Sequence, residues 1–154
     1  AVANLAPSVR TVKLRTGLVL DPTGGALGRM MPIFKFGLGG KLGSGKQWWA
    51  FISVVDEARA IIHLMNDQNA SGAYNITAPE PATCKQMVDA LAKAVRRPTL
   101  LRVPAFAMRL LIGEAADELL LCSQKMTATR LQSTGFKFEH PTLKSAVDYV
   151  VEKP

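Results

Sequence analysis

Along residues 8 to 20, SVRTVKLRTGLVL, apolar Val9, Val12 and Leu14 alternate with polar Arg10, Lys13 and Arg15 before the run turns continuously apolar. A period of two predicts a β-strand, and its end at Thr16 and Gly17 enters a loop. Asp21 to Gly25 form a turn, after which ALGRMMPIFKF carries helix-spaced Leu27, Met30 and Met31 up to Pro32, a residue expected to end or kink the helix. WWAFISVV, residues 48 to 55, predicts a second strand. Asp56 then caps a helix that turns Ala58, Ile61, Ile62 and Met65 to one face and stops over Asn66 to Gly72. AYNITA at 73 to 78 is a short strand. Thr83 and Gln86 spell a capping box ahead of a helix striped by Met87, Leu91 and Val95; Arg96 and Arg97 suit the negative pole of its dipole, and Pro98 bars continuation.

TLLRV at 99 to 103 is strand-like. Pro104 opens an apolar helical run, AFAMRLLIG, and Glu114 to Leu121 a second. A short helix runs from Thr127 or Thr129 to Thr134 and closes at Gly135, FKF at 136 to 138 is a minimal strand, and Thr142 caps a last helix with Leu143, Ala146, Val147, Val150 and Val151 inward. Short strands alternating with helices give the α/β class. A strand with a near-continuous apolar end needs neighbours on both sides, and few other segments here supply a parallel sheet, so the chain reads as half of something larger.

The chain has 154 residues, 48% of them hydrophobic, and a mean hydropathy of +0.13, enough for one core and a single compact unit over 1–154. No apolar stretch approaches the roughly 20 residues of a membrane helix, and AVANLAPSVR lacks the pattern of a secretory signal, so the expectation is no membrane and a cytoplasmic location. Cys84 and Cys122 stand far apart without a CxxC or Cys/His cluster, which favours reduced thiols over a disulfide or a metal site. Nineteen Lys and Arg against twelve Asp and Glu give +7. These cations are scattered, with no interleaved aromatics to stack bases, and nucleic acid is not an expected partner.

The most suggestive run is GLGGKLGSGKQ, residues 37 to 47, which holds five of the twelve glycines and spells GxxxxGK from Gly40 to Lys46. A phosphate loop needs Ser or Thr after the lysine and then a helix; Gln47 and a β-like run follow instead. The alternative is a glycine loop serving another pocket. His63 and His140 have no Cys, Ser or acid at a nucleophile's sequence spacing, and Glu114, Asp117 and Glu118 read as a solvated helix face. Trp48 and Trp49 point to opposite faces of a strand, one toward the core and the other toward a pocket or interface.

RTGLVL, GGAL at 24 to 27, FKFGLGGKLGSGKQ, NITAPEP at 75 to 81, Arg97-Pro98 followed by VPAF, and GFKF with PTL occur in order. Together they resemble the C-terminal half of the NAD-dependent epimerase/dehydratase-like short-chain dehydrogenases, in the cell-division-inhibitor-like subfamily of extended, atypical epimerases. The resemblance covers essentially the whole chain. It implies that residues 1–74 hold the end of a Rossmann-like sheet and the glycine loop, and residues 75–154 a C-terminal lobe with the subfamily's domain of unassigned function. It also implies NAD(P) as the full-length family's cofactor. The family's pyrophosphate turn and Tyr proton donor lie in the N-terminal half and have no counterpart here, so the chain is expected to bind no cofactor by itself and to be inactive alone, with no catalytic residue and no metal ligand. Tyr74 and Tyr149, in a strand and the last helix, are not cast as the catalytic tyrosine. By the same resemblance Thr16, Gly17 and Val19 meet the nicotinamide end of the cofactor. Substrate contacts fall on Leu18 and Trp49, apolar where sugar-nucleotide members carry Asn and a basic residue, and on Gly40, Ser44 and Gln47. The WIHIDD pattern appears as Phe51 to Asp56 and keeps only Asp56, read as a helix cap. The implied partners are a small-molecule substrate and an N-terminal Rossmann half; the competing reading is a non-catalytic binding or dimerisation module that meets a second copy as a homodimer.

Overall fold

The structure, a computed structural model, describes residues 9–99, 101–103 and 122–152. Strands β1 (Val12–Thr16) and β2 (Leu18–Leu20) are followed by α1 (Gly25–Lys35), β3 (Gly40–Leu42), β4 (Trp48–Trp49), β5 (Phe51–Ser53) and α2 (Val54–Asn66). Then come β6 (Gly72–Ile76), β7 (Ala82–Thr83), α3 (Cys84–Ala94), β8 (Leu101–Val103), α4 (Thr129–Ser133) and α5 (Leu143–Glu152). Three strand pairs are parallel, β1 with β6, β2 with β5 and β3 with β8; β4 with β7 is antiparallel. This is the expected α/β class. The two apolar helices read over 104 to 121 lie outside the described residues, as do Glu114, Asp117 and Glu118.

Gly17 does not end its strand in a loop. It is the point where the chain changes partner: its N–H reaches the Ile76 carbonyl at 3.0 Å, and the next N–H, of Leu18, reaches the Ala50 carbonyl at 2.7 Å. A side chain at 17 would place its Cβ 2.8 Å from the Ala50 carbonyl carbon and oxygen, so only glycine lets the two backbones come this close. The predicted 48–55 strand is likewise split at Ala50, which spends its carbonyl on Leu18.

β5 lies between two cores. Phe51 packs with Leu20, Leu27, Phe34, Leu42, Trp49, Met87, Leu91 and Val147, whereas its neighbour Ile52 packs with Leu64, Tyr74, Ile76, Leu131 and Phe136 on the other side. Alternation along a strand sends successive side chains to opposite faces, and a parallel strand covered on both faces is apolar at every position.

The helices follow local signals with three corrections. The Thr83–Gln86 capping box forms with both reciprocal bonds, and Met87, Val88, Leu91 and Ala92 are buried beneath it. Thr142 and Ser145 cap α5 in the same manner, with Ala146, Val147 and Val150 inward. Pro32, however, sits inside α1 without ending it; exposed on the outer side, it leaves the helix free to close one further turn through the Phe36 N–H to its own carbonyl at 3.0 Å. α2 starts at Val54 with Ser53, not Asp56, as its cap, and its buried residues are Asp56, Ala60 and Leu64 while Ala58, Ile62 and Met65 are exposed. The inward stripe is rotated from the predicted one because the buried Asp56 claims the inner side of the first turn. FKF at 136–138 forms no strand; Phe136 instead fills the second core edge-on to Phe138 and His63.

Two arginines tie irregular segments to the sheet. Arg10 donates to the carbonyls of Leu64, Met65 and Ala70, satisfying the open end of α2. Arg130 of α4 donates to Ser71 and Ala73 and lies 4.3 Å above the Tyr74 ring. The tightest constraint is at Gly17, and Gly17→Ala is expected to lower unfolding stability in urea by about 2 kcal/mol through overpacking against Ala50.

Candidate functional site

In a parallel α/β sheet, ligands gather outside the carboxyl ends of the strands. Two of those ends are Asp21 after β2 and Ser53 closing β5. Asp21 accepts the Thr23 N–H and hydroxyl, each at 2.8 Å, and these bonds, the backbone one foremost, hold its carboxyl below the usual carboxylate range. Ser53 accepts the Asp56 N–H at 3.1 Å as the cap of α2.

Asp56 itself is fully buried and does something the sequence did not suggest. Its Oδ1 accepts the Arg59 guanidinium at 3.0 Å and the Glu139 N–H at 2.8 Å; its Oδ2 accepts the His140 N–H at 2.8 Å and the Ser53 hydroxyl at 3.2 Å. Arg59 Nε closes a further pair with Glu139 at 3.2 Å. Residues 53–59 are thereby locked to residues 139–140, more than eighty positions along the chain.

The His140 ring joins the same cluster, with Nδ1 3.1 Å from Ser53 Oγ and the ring tilted on Tyr149 at 4.7 Å between centroids. Ser53 has one hydrogen, given to Asp56, and it already accepts the Asp56 N–H; its remaining lone pair is left to accept a hydrogen bond from His140, an arrangement that requires the imidazole N–H on Nδ1. A Ser, a His and an Asp in contact invite comparison with a nucleophilic triad. The geometry rules it out: Asp56 Oδ2 and Ser53 Oγ approach the same ring nitrogen, at 3.7 and 3.1 Å, and both side chains are sealed from solvent. The cluster is a clamp. Sequence spacing carries no signal for it, because Ser53 and His140 are 87 residues apart. Tyr149 also stands four residues before Lys153, a Tyr-x-x-x-Lys spelling whose lysine lies outside the described residues.

The residues implied as cofactor and substrate contacts fall in two places. Thr16 is exposed at the end of β1, whereas Gly17, Leu18 and Val19 are half-buried where the chain crosses from β6 to β5, Val19 against the second core. In the glycine run, Gly40 is a buried residue of β3 paired with Leu101; Gln47 is buried and donates to the Leu42 carbonyl at 3.1 Å; Trp49 belongs to the main core. Ser44 is exposed and its hydroxyl accepts the Lys46 N–H at 3.2 Å. The tryptophan that reaches the surface is Trp48, half-buried with Lys125 Nζ 4.5 Å from its ring centroid. The glycines answer backbone demands: Gly39 passes so close to Phe34 that a Cβ would lie 2.4 Å from its ring, and Gly45, at φ +71°, turns the chain back under Leu42. Because β4 and not a helix follows Lys46, no helix N-terminus is presented to a phosphate there.

Burial also raises the Cys84 thiol above its ordinary value, leaving little thiolate to react. Cys84 is unbridged and is expected to resist an aromatic disulfide reagent at pH 8 until the chain unfolds. Asp56→Ala, which takes the acceptor from two part-buried N–H groups and leaves Arg59 with Glu139 alone, is expected to cost about 3 kcal/mol in chemical unfolding. Val55→Ala, next to it and half-buried, is the control expected to lose about 1 kcal/mol.

Residues 103–150 match the profile of a domain of unknown function (DUF1731), which includes the clamp residues Glu139 and His140. An epimerase family protein of Mycobacterium tuberculosis is 44% identical over 145 residues, covering 94% of this chain and 48% of that protein. One from Staphylococcus aureus is 38% identical over 144 residues, again 94% and 48%. The human epimerase family protein SDR39U1, solved with NADPH, superposes with a TM-score of 0.92 at 31% identity over 97% of this chain and 51% of that one. A UDP-N-acetylglucosamine 4-epimerase from Bacillus cereus shares the fold, with a TM-score of 0.68 at 14% identity over 94% of this chain and 46% of that one. The chain spans about half the length of the curated relatives it matches. The chain thus shares the Rossmann-like architecture of these proteins, and its similarities are those of a C-terminal domain of epimerase family proteins.

Proposed function

We propose that the chain is the substrate-lobe half of an NAD(P)-dependent epimerase/dehydratase-like oxidoreductase, catalytically silent until an N-terminal Rossmann half supplies the dinucleotide anchors and the proton donor. The observation that carries this reading is β1. Among the described residues it pairs with β6 alone, and four of its five residues are exposed, although parallel strands are ordinarily covered on both faces. Beside it runs an open cleft of about 230 Å³ lined by Arg10, Val12, Leu14, Ile61, Leu64 and Met65, with the apolar side chains of Leu14 and Met65 turned to solvent. A further parallel strand with its crossover helix fits such a face. The human relative solved with NADPH supports NADP(H) as the cofactor of the assembled protein. Thr16 and Gly17, at the carboxyl end of β1, are the positions of this chain proposed to face the nicotinamide, with Leu18 and Ser44 nearer the substrate.

β1's open edge also favours a second reading, a module that meets a second copy of itself edge to edge. The two separate cleanly by experiment. The chain alone is expected to show no saturable quenching of Trp48 fluorescence by NADPH up to about 1 mM, and micromolar binding would overturn the proposal. Mixed with the Rossmann half of a relative it is expected to form a complex that Leu14→Glu abolishes. Light scattering across a dilution series that found a stable dimer, disrupted by the same substitution, would favour the self-association reading instead.

A further inference from the structure

The C-terminal end of α1 bears a second exposed apolar surface, on another element from β1. Phe36 is 80% exposed, Leu38 57% and Ile33 49%. They are held together by the way the helix stops: the Leu38 N–H bonds to the Ile33 carbonyl at 3.0 Å and the Gly37 N–H to the Phe34 carbonyl at 2.9 Å, with Gly37 at φ +74°. This is a Schellman stop, in which the residue after the glycine packs on the third-last helical residue. It accounts for the meeting of Leu38 and Ile33. It gives no reason for Phe36 to stand almost entirely in water beside them.

The rim of this apolar tip is cationic. Lys35 is exposed on the helix; Arg97 Nε donates to the Lys35 carbonyl at 3.0 Å, bringing the exposed end of α3's following turn alongside; and Arg96, exposed at φ +55°, sits next to it. No acidic residue occurs between Asp21 and Asp56 in the chain, so the α1 tip and the glycine run after it carry positive charge only. A solvent-facing aromatic between exposed aliphatics, with Lys35 next to it in the chain and Arg97 bonded to the Lys35 carbonyl, has the chemistry that engages an anionic lipid surface: the apolar side chains enter the headgroup boundary and the cations meet the phosphates. A second copy of the chain would instead bring Lys35, Arg96 and Arg97 against their like.

We propose that the Ile33–Phe36–Leu38 tip, with Lys35, Arg96 and Arg97, is a docking surface for anionic phospholipid bilayers, which adds peripheral membrane contact to a chain whose described residues include no helix long and apolar enough to cross a membrane. Co-sedimentation with vesicles tests it. The chain is expected to bind phosphatidylglycerol/phosphatidylcholine vesicles, to lose them at high salt, and not to bind pure phosphatidylcholine. Phe36→Ser, at a site too exposed to unfold the chain, is expected to weaken binding about tenfold with an unchanged circular dichroism spectrum. Lys35→Glu is expected to weaken it more than Lys13→Glu, which makes the same change of net charge on β1. Equal binding by Phe36→Ser and the parent chain, or equal loss in the two lysine variants, would overturn the proposal in favour of adsorption by overall charge. Failure to bind either vesicle, or capture of an acidic protein partner by this surface without vesicle binding, would overturn it as well.

Discussion

A carboxylate with no exposure to water has to be met by donors from the protein, and Asp56 obtains them from two distant parts of the chain. Its own helix supplies Ser53 and Arg59; the segment before α5 supplies two backbone N–H groups. Desolvating the charge is costly, and the four donors offset that cost only when residues 139 and 140 are in place. The placement of the segment before α5 is thus coupled to the end of β5. α5 packs across β2 and β5 from that anchored start, and the main core closes between α5, α3 and α1. An apolar residue at 56 could fill the same volume, but it would leave the Glu139 and His140 amides unpaired and the segment free to settle elsewhere.

Legibility from sequence followed the range of the interaction. The Thr83–Gln86 box, the Met87–Leu91 stripe, Gly135 closing α4 and the Thr142 cap are all decided within four residues, and all were readable. What escaped depended on partners far away. Propensity treats every interior proline alike, as a residue that ends or kinks a helix, yet on the exposed side of α1 Pro32 does not end it and its lost bond is tolerated. The inward face of α2 differs from its hydrophobic stripe because a buried aspartate is invisible to a hydrophobic pattern. FKF alternates as a strand does, but no neighbouring strand is within reach among the described residues, and the tertiary demand for Phe136 in the second core prevails over local propensity.

The glycine run illustrates the same limit for function. Its spelling approaches a phosphate loop, yet each glycine that can be accounted for answers to backbone geometry: Gly37 ends α1, Gly39 clears the Phe34 ring and Gly45 reverses the chain toward Lys85. Gly40, Gln47 and Trp49 spend their contacts inward. Ser44 is left at the turn's surface and Trp48 beside Lys125, so the accessible chemistry of this region is narrower than its composition suggests. The contribution of Ser53 and His140 runs the other way, unremarkable in sequence and central in space.

The strands themselves argue for incompleteness around one element and completeness around another. β5 is parallel to β2, buried at Phe51, Ile52 and Ser53, and covered by a core on each face. β1 is parallel to β6, belongs to the same run of chain as β2, and is separated from it by Gly17 alone, yet it is exposed along most of its length. Both strands obey one rule, that a parallel ladder gains little from its slanted bonds unless apolar cover lies above and below. For β5 this chain provides the cover. For β1 the alternating Val12 and Leu14, the Arg10 anchor at the foot of α2 and the cleft between them form one wall of a packing that the described residues leave open, and that asymmetry is the observation on which the proposed missing partner rests.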